Sequence, residues 1–231
     1  MGTAVIIGAG EGLSASLARK LAARGHKLVL AARNPDKLDA LASETGAVTV
    51  ACNSSQQQDM ERVFERADEL GEKLEIAIYN PSARVRGSIT DLDPDAVQNA
   101  LMVTAYGAFL MAQQAARRML PNQSGAILFT GASAGVKGYP NSSTFAMGKF
   151  ALRGLAQSMA RELHPQGIHI GHFVIDGGIR NQNRPERIDA AGNPDSMLDP
   201  DAIADSYLHF LDQPRSSWAW EIELRPWVEK F

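Results

Sequence analysis

A chain of 231 residues, 45% hydrophobic and 21% charged, has the composition of an ordinary globular protein with one sizeable core, which excludes a disordered chain. Its formal net charge of -3 offers no general attraction to nucleic acid or to an anionic membrane, so neither is expected as a partner. A single cysteine excludes an internal disulfide framework, no apolar run reaches spanning length, and the chain enters an apolar strand at once, so the expectation is a cytoplasmic protein.

Residues 4–7 form the first apolar run, and the turn Gly8-Ala9-Gly10-Glu11-Gly12-Leu13-Ser14 leads from it into the helical segment Leu17-Ala18-Arg19-Lys20-Leu21-Ala22. Glycines at a strand-to-helix turn let the backbone approach a pyrophosphate, whose charge then rests on the helix N-terminus. Gly8, Gly10, Gly12 and Leu13 are therefore candidate dinucleotide-binding residues, although a tight turn needs glycine in any case. The second strand, 28–30, runs on into Ala31-Ala32-Arg33-Asn34, without the carboxylate that would bond a ribose 2′-OH. Arg33 can instead accommodate a 2′-phosphate, so NADP is expected over NAD. Glu11 is a counterweight should it point inward, and a plain surface arginine is the alternative for Arg33. Asn34 also caps a helix that begins at Pro35.

The third strand, 48–50, precedes Cys52, which reads as a buried strand residue rather than a reactive thiol, and Asn53. A fourth strand at 76–78 leads to Asn80. Asp93-Pro94 opens a long helical segment to Met119, in which Arg117-Arg118, like Arg184 and Arg187 further on, read as solvated local features. After a fifth strand at 127–129, Ser133 lies in a loop, where it could orient a substrate carbonyl or bond its own backbone. Ser143–Leu163 is apolar at helical spacing and stops before Pro165. Lys149 on that helix is costly to bury without a partner, so it either hydrogen-bonds a partner there or snorkels to solvent. Ile168–Ile175 is the sixth strand; His164, His169 and His172 around it form no metal constellation, and no metal site is expected. The polar stretch 180–199 has the length of a lid, Asp199-Pro200 opens a last helix, and 220–224 is an edge strand, where a cluster of Trp218, Trp220 and Trp227 reads as edge packing or a subunit contact. Strands alternating with helices argue a single α/β domain over 1–231 built on a parallel sheet.

Along nearly its whole length the chain resembles the short-chain dehydrogenase/reductase family. The resemblance rests on the glycine turn, on Ile78-Tyr79-Asn80-Pro81-Ser82, on Phe145-Ala146-Met147-Gly148-Lys149 with the following Phe150-Ala151-Leu152-Arg153-Gly154-Leu155, and on Ile175-Asp176-Gly177-Gly178-Ile179. It implies a Rossmann fold, a doubly wound parallel sheet of seven strands with helices on both faces, assembled as a homodimer or homotetramer. It also implies hydride transfer between a nicotinamide and a small-molecule substrate, with Asn53, Asn80, Lys149, Gly177 and Ile179 joining Arg33 and Asn34 at the cofactor. The family's proton-exchanging tyrosine, four residues before its lysine, corresponds here to Phe145, which has no proton to exchange. Its serine corresponds to Ala132, with Ser133 next to it, and its relay asparagine to Thr104. The turn's third glycine is Ser14, and a family proline is Asp176. The sequence is similar to an atypical branch with Phe in place of the Tyr and the neighbouring Lys retained, leaving Lys149 and Ser133 as the catalytic candidates.

Two functions follow from that pattern. One is an NADP-dependent oxidoreductase reducing a carbonyl, imine or activated double bond with an incomplete tetrad, in which Tyr139, Tyr106 or water replaces the missing acid. The other is a dinucleotide-binding sensor or structural subunit without turnover. Helices 99–119 and Ser143–Leu163 are expected to pair across a subunit interface, with Ala146, Phe150, Leu152, Met159 and Ala160 supplying its apolar surface.

Overall fold

Hydrophobic strands buried on both faces need helices on both sides, and a computed structural model, describing residues 2–229, has that arrangement. Seven parallel strands lie in the order β3-β2-β1-β4-β5-β6-β7. They are β1 Thr3–Ile7, β2 Lys27–Ala32, β3 Val48–Ala51, β4 Leu74–Tyr79, β5 Gly125–Thr130, β6 Ile168–Ile175 and β7 Glu221–Leu224. The helices are α1 Leu13–Ala23, α2 Asp39–Thr45, α3 Gln57–Asp68, α4 Pro94–Leu101, α5 Gly107–Met119, α6 Ser143–Leu163 and α7 Pro200–Leu211. The strand order reverses between β1 and β4, and such a switch point opens a crevice at the carboxyl ends of the strands.

Alternating side chains of the buried strands feed two cores. Val5, Ile7, Val29, Ala77, Ile127 and Ile170 meet α3, α5 and α6 on one face. Ala4, Ile6, Leu28, Leu30, Ile78 and Leu128 meet α1 and α7 on the other. Asp93 and Asp199 cap α4 and α7 by accepting from Asp95 and Asp201 backbone N–H groups, each with proline at the helix start. Asn34 caps likewise, accepting from Asp36, but the segment it opens is a short 3₁₀ turn, Pro35–Leu38, ahead of α2.

Several expectations need correction. Cys52 is buried but lies one residue past β3, its N–H bonded to the carbonyl of Ala32. Burial pushes its thiol up to about 12, in keeping with an inert packing residue. The three tryptophans do not form one cluster. Trp218 stacks on His169 with ring centroids 4.3 Å apart, Trp220 packs beneath Arg153, and Trp227 stands 79% exposed. Leu152, Met159 and Ala160 are buried in the core of this chain; Phe150 is exposed as expected, and the rest of the apolar surface on the outer side of α5 and α6 comes from Phe109 and Met147, beside Tyr106 of the turn before α5.

Candidate active site

The carboxyl ends of the strands carry the predicted site residues. Gly8 and Gly12 both have positive φ, at 76° and 83°, and a methyl group at Gly8 would strike the ring of Pro81 at 2.7 Å. A methyl at Gly10 would meet nothing within 4 Å, so the backbone there faces open space. Gly12 and Leu13 begin α1, which has no acidic residue in its first turn and no capping side chain, leaving its first N–H groups available to an anion. Ser14, in place of a third glycine, donates to the carbonyl of Gly8 at 3.1 Å and accepts from the Asn80 amide at 2.6 Å. That short chain locks the glycine turn to the end of β4. Glu11 is engaged by Asn183 of the 180–199 segment, whose amide donates to it at 2.7 Å.

Past β2, Arg33 is exposed and has no carboxylate partner among the described residues. Asn53, two residues beyond β3, is exposed, and its side-chain carbonyl accepts from Ser55. Gly177 and Ile179 follow β6, and Ile179 forms a parallel bridge with Leu198. That bridge closes the base of the segment 180–199. Inside it, the Arg180 guanidinium meets Asp189 at 2.7 Å, Asp199 at 2.8 Å and Asp195 at 3.7 Å. The long polar stretch is thus an ordered loop tied to its own arginine and, through Asn183, to the glycine turn.

Around Phe145 the structure decides between earlier alternatives. Lys149 does not snorkel: it is 2% exposed, and its Nζ donates to the Thr130 carbonyl at 2.6 Å. Burial, reinforced by the nearby Arg84 charge, brings its pKa down to about 7. Its Nζ stands 5.9 Å from the Phe145 ring centroid. Phe145 packs with Ala132 and Ala134 in a small apolar cluster, so the residues in the tyrosine and serine positions belong to one patch of hydrocarbon. Ser133 is half-buried in the short turn Ser133–Gly135, and its carbonyl accepts from Val136 and Lys137. Thr104 is buried in a π-helical turn, Met102–Tyr106, where its hydroxyl accepts from the Ala83 backbone at 3.0 Å. It therefore positions the loop after β4.

That loop carries a residue which sequence reasoning passed over. The Arg84 guanidinium lies 3.9 Å from the Phe145 ring centroid, a cation–π contact over the position of the family's tyrosine. The available signal was the pair Arg84 and Arg86 in an irregular segment with no acidic neighbour nearby in sequence. Tyr106 stacks on Phe109 at the outer surface, and Tyr139, 40% exposed, has Lys137 over its ring. Asp176, in place of the family proline, is buried and meets Arg225 at 3.4 Å and Lys137 at 3.6 Å, joining the end of β6 to its neighbours. Behind Lys149, His172 is fully buried and bonds Glu221 at 2.9 Å, which Arg153 holds with two hydrogen bonds. No group of metal-ligating side chains is present among the described residues.

Similarity to known proteins agrees with this geometry. The profile of the short chain dehydrogenase family matches residues 2–187. An uncharacterised oxidoreductase of Staphylococcus aureus strain N315 is 28% identical over 228 residues, covering 96% of each chain. A crystal structure of a short-chain dehydrogenase from Rhodopseudomonas palustris superimposes with a TM-score of 0.83 at 32% identity, over 97% of this chain and 98% of that one. A metagenomic short-chain oxidoreductase solved with NADP has the same fold, with a TM-score of 0.83 at 23% identity, over 98% of each chain. The seven-stranded sheet, the glycine turn at its switch point and this match over most of the sequence together make the chain a member of the short-chain dehydrogenase family.

Proposed function

We propose that the chain is an NADP-dependent oxidoreductase that reduces a carbonyl, imine or activated double bond without a tyrosine acid. The observation that carries this reading is Lys149, a lysine at full burial beside Phe145 whose Nζ has one backbone carbonyl, that of Thr130, and no carboxylate as partner. Burying an ammonium group with a single hydrogen bond is costly, and a ribose hydroxyl would engage a second of its three N–H donors. The open backbone at Gly10, the uncapped start of α1 and the unpartnered Arg33 fit a dinucleotide with a 2′-phosphate. Bound there, such a cofactor supplies hydride.

The chain's own groups then have limited tasks. Gly8, Gly10, Gly12 and Leu13 receive the pyrophosphate, Arg33 and Asn34 the phosphorylated ribose, and Asn53 the adenine side. Asn80, Gly177 and Ile179 line the nicotinamide end. Lys149 Nζ holds the ribose and, titrating near neutrality, can give up or take a proton at that atom. Ser133 is the hydroxyl available to orient a substrate oxygen. An iminium carbon or a polarised double bond asks less of a proton donor than a ketone does.

A second reading, a dinucleotide-binding protein without turnover, is favoured by one observation. Phe145, Ala132 and Ala134 form a closed apolar cluster covered by Arg84, where reductive chemistry would need a hydroxyl. Titration with NADPH and NADH followed by a panel of ketones, imines and enones separates the two. The expected result is tighter binding of NADPH, an Arg33→Ala loss of about 1–3 kcal/mol confined to NADPH, and turnover of at least one substrate class. Binding without turnover supports the second reading, and equal affinity for both cofactors removes the assignment of Arg33.

A further inference from the structure

We infer that Arg84, Arg86 and Arg187 form a recognition site for an oxyanion, a carboxylate or phosphate, carried by the substrate and presented at the face of Phe145. This rests on the reading of the Phe145 region as the place where substrate is held. Arg84 is fixed there from two sides. Thr104 accepts from the backbone of its neighbour Ala83 at 3.0 Å, and Gly87 further along the loop donates to the Asn141 carbonyl, just before α6, at 3.2 Å. The Arg84 guanidinium carbon stands over the ring, 3.9 Å from its centroid. Arg187 approaches from the 180–199 loop, with Nη1 3.1 Å from where a methyl group at Gly178 would lie. Arg86 and Arg187 are both close enough to act electrostatically on Arg84, which in turn acts on Lys149.

Like charges gathered this way repel, whereas several arginines elsewhere in the fold are paired. Arg180, in the same loop as Arg187, is surrounded by Asp189, Asp195 and Asp199. Arg153 and Arg118 have Glu221 and Asp68. Arg84, Arg86 and Arg187 have no carboxylate partner among the described residues, and Glu186, next to Arg187 in sequence, makes no ion pair with it. Packing against Phe145, then the charges of Arg187 and Arg86, hold the Arg84 pKa below its ordinary value. Guanidinium forks match the two oxygens of a carboxylate or phosphate, and a concentration of positive potential at a cleft mouth draws such a ligand in.

Calorimetric titration of the full chain tests this, run with the free protein and with the protein saturated with NADPH. The probes are benzoate, benzyl phosphate and neutral benzyl alcohol. The expected result is saturable binding of at least one anion, at least about tenfold tighter than the alcohol, weakened about tenfold or more by Arg84→Gln. Arg161→Gln, removing an exposed charge in the last turn of α6, should leave the anion's affinity unchanged. Failure of both anions to bind, equal affinity for the alcohol, or indifference to Arg84→Gln overturns the site. Displacement of the anion by NADPH also overturns it, since the arginines would then serve a cofactor phosphate. NADPH binding without anion binding leaves the oxidoreductase reading standing. Anion binding without NADPH binding sinks that reading and retains the cluster as an anion site.

Discussion

Phe145 and Ala132 are best understood as a matched pair, because both belong to one small apolar cluster with Ala134. Restoring only one polar partner would leave a hydroxyl facing an apolar neighbour. Phe145→Tyr together with Ala132→Ser should raise ketone reduction by about 10²–10⁴-fold over the native protein, with Phe145→Tyr alone giving a small part of it. Steady-state rates with a simple ketone and NADPH check this, and rapid ketone reduction by the native protein would contradict it. Lys149 makes a second prediction, in stability. Its pKa falls from 10.5 to about 7 on folding, so between those values the unfolded chain binds more protons. Stability should therefore rise as pH climbs from 7 towards 10.5, and the full cost of the buried charge should be present below 7. Melting temperatures of the native protein and Lys149→Met should draw together across that window and stay furthest apart, in favour of Met, below it. Lys149 was legible twice over, as a lysine on an apolar helix and as the residue that keeps the family's lysine position. Arg84 was not, because a lone arginine in a loop has no periodicity to betray what lies beneath its guanidinium.

Among the elements, the 180–199 loop is organised around one guanidinium and three carboxylates rather than around hydrophobic packing. Arg180→Ala leaves those carboxylates to repel one another. Limited proteolysis should then cut within the loop several-fold faster, while the melting temperature, set by the two cores, changes little. The outer faces of α5 and α6 lead to another expectation. Phe109, Met147 and Phe150 are each more than 40% exposed on neighbouring helices, an apolar stripe suited to a two-fold partner. Met147→Lys with Phe150→Lys should convert a dimer or tetramer to monomers in sedimentation velocity, and a native protein already monomeric at micromolar concentration would rule the assembly out. The strands and the capped helices were legible because apolar runs and Asp-Pro or Asn-Pro starts are local signals. Which apolar residues of α6 face inward was not, because a 21-residue helix with apolar groups on several sides gives no single stripe. α3 went unread as well, since only Met60, Val63, Phe64 and Ala67 interrupt its charged residues with burial.

For the molecule as a whole, the C-terminal side of the sheet is its acid-sensitive part. Burial pushes His169 and His172 down to about 4, and lowers His164 as well. Each is neutral in the fold and takes up a proton more readily when unfolded. The contribution of these histidines should be complete above about 6.5 and be lost as pH falls through the interval to 4, a trend that thermal melts in that range would show and that His169→Phe should blunt. A flat melting temperature between pH 6.5 and 4 would contradict it. The general architecture was readable from spacing because one parallel sheet answers so few patterns. The stacking of His169 between Phe210, at 4.0 Å, and Trp218, at 4.3 Å, joins β6 to residues over forty positions away, which no local pattern encodes. That sandwich also makes an optical indicator. An imidazolium quenches the emission of an indole lying parallel against it, whereas a neutral imidazole does so far less. Protonation of His169 should thus dim Trp218 when it occurs in place, and brighten or red-shift it when the sandwich opens first. Comparing the emission of the native protein with that of Trp218→Phe along an acid titration would tell whether the proton enters a closed fold or follows its opening.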